Sequence, residues 1–235
     1  MCKPLAVSSV RQCHAVLSGA LSAAKRWGWI TVNPLDAAQR LRIPAPQPDP
    51  PSAEEAAKIA SAAWAQDADW GTFVWLTFIT GARRGELVGL AWEHVDLVSG
   101  LLTIRRSLVR HGGKTILKDT KTHQMRVIKL DQDTMAILTE HKARAKQRCA
   151  QLGTTLDDDA FVFSYALDHR RHCDPDAVTH RYAKMTADLG IDTHLHALRH
   201  YSATELLAGG VDLRTVAGRL GHGGGGVTTL KVYAA

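Results

Sequence analysis

Apolar residues recur at helical spacing in the first part of this chain, alternate with polar ones in the middle, and return to helical spacing toward the end. The first stripe, over residues 7–27, is Val10, Cys13, Leu17, Ala20, Leu21, Ala24 and Trp27, with Gly28 as its stop. Little nearby could bury that stripe. Five prolines between Pro44 and Pro51 then break any helix and read as an extended linker. Residues 1–43 are therefore expected to be the tail of a separate domain, 44–51 a linker, and 52–235 the main domain.

Ser52 and Glu55 form a capping box that opens a helix to about Ala65. A strongly apolar helix over 69–80 stops at Gly81, and a short one follows over 84–90. The alternating region predicts strands over 101–109, 115–118 and 125–130, with a turn at 111–114. Helices resume over 131–149 and 175–189, the second capped by Asp174 and stopped by Gly190, with the apolar segment 161–164 between them. Glycines 209–210 and 223–226 divide the remainder into three helices. The expected fold class is mainly α with a small antiparallel β-sheet (α+β), without internal repeats.

Composition narrows the partners. The most apolar run, 73–80, is far too short to span a bilayer, and the first residues lack the pattern of a signal peptide, so a soluble cytosolic protein is expected. Cys2, Cys13, Cys149 and Cys173 are scattered without a CxxC, which fits reduced thiols. The net charge of +6 favours a polyanion. Arg105, Arg106, Arg110, Lys114, Lys118, Lys121, Arg126 and Lys129 face a single acid, Asp119, between residues 101 and 130. Such a cluster is either a solvated face or a set of phosphate contacts. Its one-sidedness on a sheet makes Arg105, Arg106, Lys114, Lys118 and Arg126 candidate phosphate-contacting residues, which are DNA contacts if the polyanion is DNA.

Other motifs carry chemistry only in combination. Arg83 and Arg84 follow the glycine stop of a buried helix, where arginines commonly satisfy carbonyls or pair with an acid such as Glu86. His196 and Arg199, three apart, share one helix face; a guanidinium binds phosphate in two-point fashion and an imidazole moves protons. His169, His172 and Cys173 are metal-ligand types, but no second pair stands at usable spacing, so no metal is expected. Residues 204–220 have the helix, glycine turn and helix of a helix-turn-helix, which would direct Arg214 and Arg219 to a major groove. In isolation that segment fits a transcription regulator as well as an enzyme.

The order of the motifs separates these readings. TGARRGEL (80–87), Lys121 in DTKT, HALRH (196–200), LGH (220–222) and Tyr233 near the end resemble, in that sequence, the tyrosine recombinases or phage integrases. The resemblance covers essentially all of 52–235, and 1–43 is similar to the closing part of that family's core-binding domain. It implies strand cleavage and rejoining on double-stranded DNA, with protomers forming a tetramer on synapsed DNA in the full-length form; this chain alone is expected as a monomer. Neither cofactor nor metal is implied, and the setting is the cytoplasm, on the nucleoid.

Residue by residue, the resemblance makes Arg83 and Arg199 the phosphate clamps. Lys121 becomes the acid that protonates the leaving 5′ oxygen, and His196 assists proton transfer. His222 hydrogen-bonds the phosphate, Glu86 buttresses the site and Tyr233 is the nucleophile. The chain stops two residues after Tyr233, where the family usually continues into a tail that docks on a neighbouring protomer. A catalytic domain shortened just past its nucleophile, with weakened DNA affinity, is expected. Alternatives are DNA relaxation of the type IB topoisomerase kind and a non-catalytic DNA-binding remnant or regulator.

Overall fold

The computed structural model describes residues 4–38, 49–119 and 125–221, so Lys121, His222, Tyr233 and the expected last helix lie outside the described residues. The chain divides into two compact units, 1–46 and 47–235. In the first, helix α1 (Val7–Arg26) is followed by a 3-10 turn at Pro34–Asp36. Asn33 folds the turn back onto the helix: its amide donates to the Ser18 carbonyl and to Ser22 Oγ, and its carbonyl oxygen accepts from Leu35 N–H. Helix α1 buries none of its residues, and Val16, Leu17 and Trp27 are exposed on this unit.

In the second unit, α2 (Ala53–Gln66) starts at the expected capping box: Ser52 Oγ accepts from Glu55 N–H, and Glu55 returns a carboxylate oxygen to Ser52 N–H. Helix α3 (Ala68–Thr80) is capped by Asp67 and buries Trp70, Phe73, Val74, Leu76 and Phe78 around its circumference. Its threonines tolerate that burial because Thr72, Thr77 and Thr80 each donate a hydroxyl to the carbonyl four residues earlier. Trp70 stacks on Phe73, which meets Phe163 edge-on, so the 161–164 segment closes the core over α3. Gly81 ends α3 at φ +59°, and a side chain there would meet Leu220 Cδ2 at 2.5 Å, so only glycine suits both the backbone and the space.

Helix α4 (Arg84–Val88) precedes strands β1 (Val95–Asp96), β2 (Leu101–Ile104), β3 (Arg106–His111), β4 (Lys114–Asp119) and β5 (Arg126–Lys129). The single strand expected over 101–109 is in fact two, divided at Arg105. β2 lies between β1 and β5, whereas β3 pairs only with β4. The cause is the hairpin: Gly112 and Gly113 both take positive φ, a two-residue turn that zips β3 to β4 from His111↔Lys114 back to Arg106↔Asp119. β2 is left to pair with β5, from Leu101↔Lys129 to Ile104↔Arg126. The stretch that holds Lys121 thus begins after a residue paired with Arg106 and ends at one paired with Ile104.

Helices α5 (Gln132–Gln151), α6 (Pro175–Asp188), α7 (Ala197–Ala208) and α8 (Leu213–Leu220) complete the unit. Asp176 in the first turn of α6 pairs with both Arg84 of α4 and Arg110 of β3, which ties the hairpin to the helical body. α7 and α8 share a small apolar cluster of Ala203, Val216 and Leu220. Among the described residues, no helix is long and apolar enough to cross a membrane.

Candidate active site

The arginines expected as clamps meet at one helix end. Arg199, on the first turn of α7, is 2% exposed; its Nη1 donates to the Gly81 carbonyl (2.6 Å) and its Nη2 to the Leu220 carbonyl (2.5 Å). Arg83 donates from Nη2 to the next carbonyl, Gly221 (3.4 Å). Two guanidiniums therefore stand on successive carbonyls at the C-terminal end of α8, where the helix dipole favours positive charge. Gly221, at φ +66°, turns the chain there, and His222 is the next residue. Arg199 forms the buried floor of this site, and Arg83, with 46% of its side chain exposed, its open side.

Glu86 holds Arg83 in place. Its carboxylate accepts from Arg83 N–H (2.7 Å) and Arg83 Nη1 (2.9 Å). It also accepts two bonds from Arg126, at 3.1 and 2.6 Å. Burial alone would raise the Glu86 pKa, but the bonds and charge of Arg126, followed by those of Arg83, bring it below the usual carboxylate range. Arg126 was expected on the DNA-facing surface; it is instead buried, at 7% exposure, as the partner of Glu86. Strand parity explains this, because Arg126 shares the inward face of β5 with Ile128. Arg105, Lys114 and Lys118 are exposed on the hairpin side, and Arg106 is paired with Glu93.

His196 caps α7 one turn before Arg199 and keeps an exposed edge. Desolvation and then the positive surroundings of His200, Arg199, His194 and Arg83 push its pKa down to about 4, so the free protein holds it neutral at pH 7. His200 meets His196 edge-to-face at 5.0 Å between ring centres and is shifted down as well, by burial and then by Arg199 and His194. Arg83, Arg199, His196 and Glu86 are thus brought together; Lys121, His222 and Tyr233 lie outside the described residues.

The three tyrosines among the described residues are poorly suited to act as nucleophiles. Tyr182 is buried, Tyr201 packs edge-on against Phe78, and Tyr165 lies beside Cys173; each phenol is pushed above its ordinary pKa, in every case first by burial. His169, at positive φ, faces the Phe161 carbonyl through Nδ1 and Arg148 through Nε2. Arg219, which a helix-turn-helix would direct at a groove, donates inward to the Ile79 carbonyl.

Sequence reasoning missed the Arg126–Glu86 pair and the Asp176 bridge. It also missed a network in which Asp69 joins His141, Arg144 and Arg148 beneath α3. Only the parity of Arg126 with Ile128 and Leu130 was there to be read.

These groups predict acid lability in two stages. His196, His200, His169 and His94 have depressed pKa values in the fold, so their contribution is complete above the unfolded value of about 6.5 and is lost as pH falls through the folded values. Asp69 and Glu86, also depressed, add a loss below their unfolded carboxylate range. Thermal melts should be flat from pH 8 to 7 and fall steadily from about pH 6.5 to 4; an unchanged midpoint over that interval would refute the assignment.

The profile of the phage integrase family matches residues 52–235. A tyrosine recombinase XerC-like protein of Caldanaerobacter subterraneus subsp. tengcongensis is 30% identical over 161 residues, covering 63% of this chain and 41% of that protein. The ICEBs1 integrase of Bacillus subtilis is 26% identical over 230 residues, 97% of this chain and 62% of its own length. The chain thus spans only part of the length of these curated relatives. In fold it is similar to the Tn1549 transposon integrase solved in complex with transposon right end DNA, with a TM-score of 0.80 at 19% identity over 98% of this chain and 76% of that one. The family profile covers most of the chain and the fold agrees with it: this chain belongs to the phage integrase family.

Proposed function

We propose that this chain cuts and rejoins double-stranded DNA at specific sites through a tyrosine–DNA intermediate. The observation that carries the reading is the convergence of Arg83 and Arg199 on the Leu220 and Gly221 carbonyls, with neutral His196 one turn away and His222 next in the chain. Two fixed guanidiniums suit the two non-bridging oxygens of a phosphodiester, whose negative charge grows in the transition state. Tyr233 Oη attacks phosphorus, the P–O5′ bond breaks, and a 3′-phosphotyrosine and a free 5′ hydroxyl result. Lys121 supplies the proton to the leaving oxygen, and His196 and His222 serve the proton and the phosphate. The reverse attack by a 5′ hydroxyl reseals the strand without an energy cofactor, because the phosphodiester bond energy is retained.

Arg105, Arg106, Lys114 and Lys118 contact the DNA backbone beside the site in this reading. Residues 1–43 belong to the core-binding domain, the setting is the cytoplasm and its nucleoid, and the full-length protein acts as a tetramer on synapsed DNA. The test is a library of nicked duplexes with a randomised core, incubated with the protein and resolved under denaturing conditions. Wild type should retain a covalent DNA adduct, and Tyr233→Phe should form none while still shifting DNA in a native gel. Supercoil relaxation by monomer without strand exchange would instead favour a topoisomerase, and DNA binding without any adduct a non-catalytic binder.

A further inference from the structure

We infer that Arg126 is a positioning residue of the phosphate clamp, which fixes both of the groups that hold the Arg83 guanidinium. The inference rests on the recombinase reading above. Arg83 is the open member of the clamp, with 46% of its side chain exposed. Its guanidinium is held by one bond to Glu86 Oε1 (2.9 Å) and a longer one to the Gly221 carbonyl (3.4 Å). Two such bonds aim a flexible side chain only as well as their acceptors are themselves fixed. Both acceptors rest on Arg126. Its guanidinium donates to Glu86 Oε1 (3.1 Å) and Oε2 (2.6 Å), one bond to each carboxylate oxygen. The same group lies against Gly221, where an added methyl would come within 3.0 Å of Nη1 and 3.4 Å of Cδ and Cζ. One buried side chain thus joins α4 to the end of α8 at the two places that Arg83 grips.

Arg126 is itself too buried, at 7% exposure, to reach DNA, so any effect on the reaction passes through its neighbours. A planar guanidinium that engages both carboxylate oxygens fixes the plane of the carboxylate, which a single ammonium contact does not. Without Arg126, Glu86 would still accept from the Arg83 N–H and Nη1. Its carboxylate would turn more freely, because that terminal torsion has a broad minimum. The Gly221 turn would lose the group it lies against. Loss of Arg126 therefore falls on the direction of the Arg83 guanidinium, while the charge of Arg83 stays in place.

Removing what Arg83 acts on, or Arg83 itself, separates positioning from mere support of the fold. A methylphosphonate carries a methyl in place of one non-bridging oxygen, so it lacks the negative charge that a clamp arginine stabilises. The full chain, as wild type, Arg83→Ala, Arg126→Gln, Arg126→Lys and the double variant Arg83→Ala with Arg126→Gln, would be given a nicked duplex recovered by wild type from the randomised library. The duplex is synthesised with a phosphodiester or a methylphosphonate at the cleaved position. On the phosphodiester, Arg126→Gln should form adduct about 30-fold more slowly than wild type at saturating protein. In the Arg83→Ala background the same substitution should cost no more than about 3-fold, since no guanidinium remains to be aimed. On the methylphosphonate, Arg126→Gln and Arg83→Ala should each lie within about 3-fold of wild type. Arg126→Lys, which keeps the charge but not the fork, should fall between wild type and Arg126→Gln on the phosphodiester.

A loss from Arg126→Gln that is as large in the Arg83→Ala background, or undiminished on the methylphosphonate, would overturn the inference, as would no loss at all. Either comparison decides where the other gives no measurable rate. Should Arg126→Gln lack a cooperative melt, Arg126→Lys carries both comparisons with the same criteria, and failure of both to fold would overturn the inference in favour of a purely structural role. Absence of a wild-type adduct on the phosphodiester would remove the recombinase reading and the inference with it. Adduct formation by Arg83→Ala at the wild-type rate on that duplex would leave the recombinase reading standing but remove Arg83 from the clamp, and with it the positioning role of Arg126.

Discussion

Arg199→Ala should lower the rate of covalent adduct formation by about 100- to 1,000-fold and destabilise the fold by about 3 kcal/mol. Both effects have one origin. The buried guanidinium donates to the Gly81 carbonyl that ends α3 and the Leu220 carbonyl near the end of α8, so it holds together the two chain ends that present Arg83 and His222. Truncation leaves both carbonyls without this charged donor and opens a cavity beside them. Arg199→Lys separates the components, because an ammonium restores the charge but not a fork that reaches both carbonyls. It should recover part of the melting temperature and little of the rate. Wild-type adduct formation by Arg199→Ala would remove Arg199 from the site.

Glu86→Ala should be the most destabilising single change near the site, by about 3–5 kcal/mol, because it strands Arg126 as a buried charge. The pair is nearly dry, with side-chain exposures of 7% for Arg126 and 2% for Glu86. A bond from Glu86 also holds the backbone of Arg83, so catalysis should fall together with stability. Replacing both charges, as in Glu86→Gln with Arg126→Met, should recover much of the stability, since a buried pair often contributes little net stability over a neutral packing of similar size. Denaturant melts of the two single variants and the double variant measure the coupling. Additive losses would show that the two groups do not depend on one another.

The elements legible in the sequence were those set by local chemistry. The Ser52–Glu55 capping box, the Gly81 stop and the Asp174 cap each depend on a few neighbouring residues, and each stands where expected. The division of 101–109 at Arg105 was not legible because the alternation of Leu102, Ile104 and Leu108 continues in phase across it. What divides the strand is its choice of distant partners, β5 for one half and β4 for the other. The same distinction applies to the site. Arg83, Glu86, His196 and Arg199 announce themselves as types at short spacing. Arg126, read as surface charge because it stands among basic residues, is placed by a partner forty positions earlier in the chain. Lys121, His222 and Tyr233 rest on motif order, which spacing within one element does not supply.

His196 links the electrostatics to the proposed reaction. A neutral imidazole among Arg83, Arg199 and two further histidines avoids adding one more positive charge to a crowded site. A bound phosphodiester would compensate those charges and raise the imidazole's proton affinity where a proton is needed.

The most direct measurement is to identify the residue that becomes attached to DNA. The full chain is incubated with a nicked duplex from the randomised library, digested with protease, and the DNA-bound peptide is sequenced by mass spectrometry. A 3′-phosphate ester on Tyr233, absent in Tyr233→Phe, is the result expected. A stable adduct on another residue, such as exposed Tyr165, or no adduct under conditions where the duplex is bound, would contradict the account.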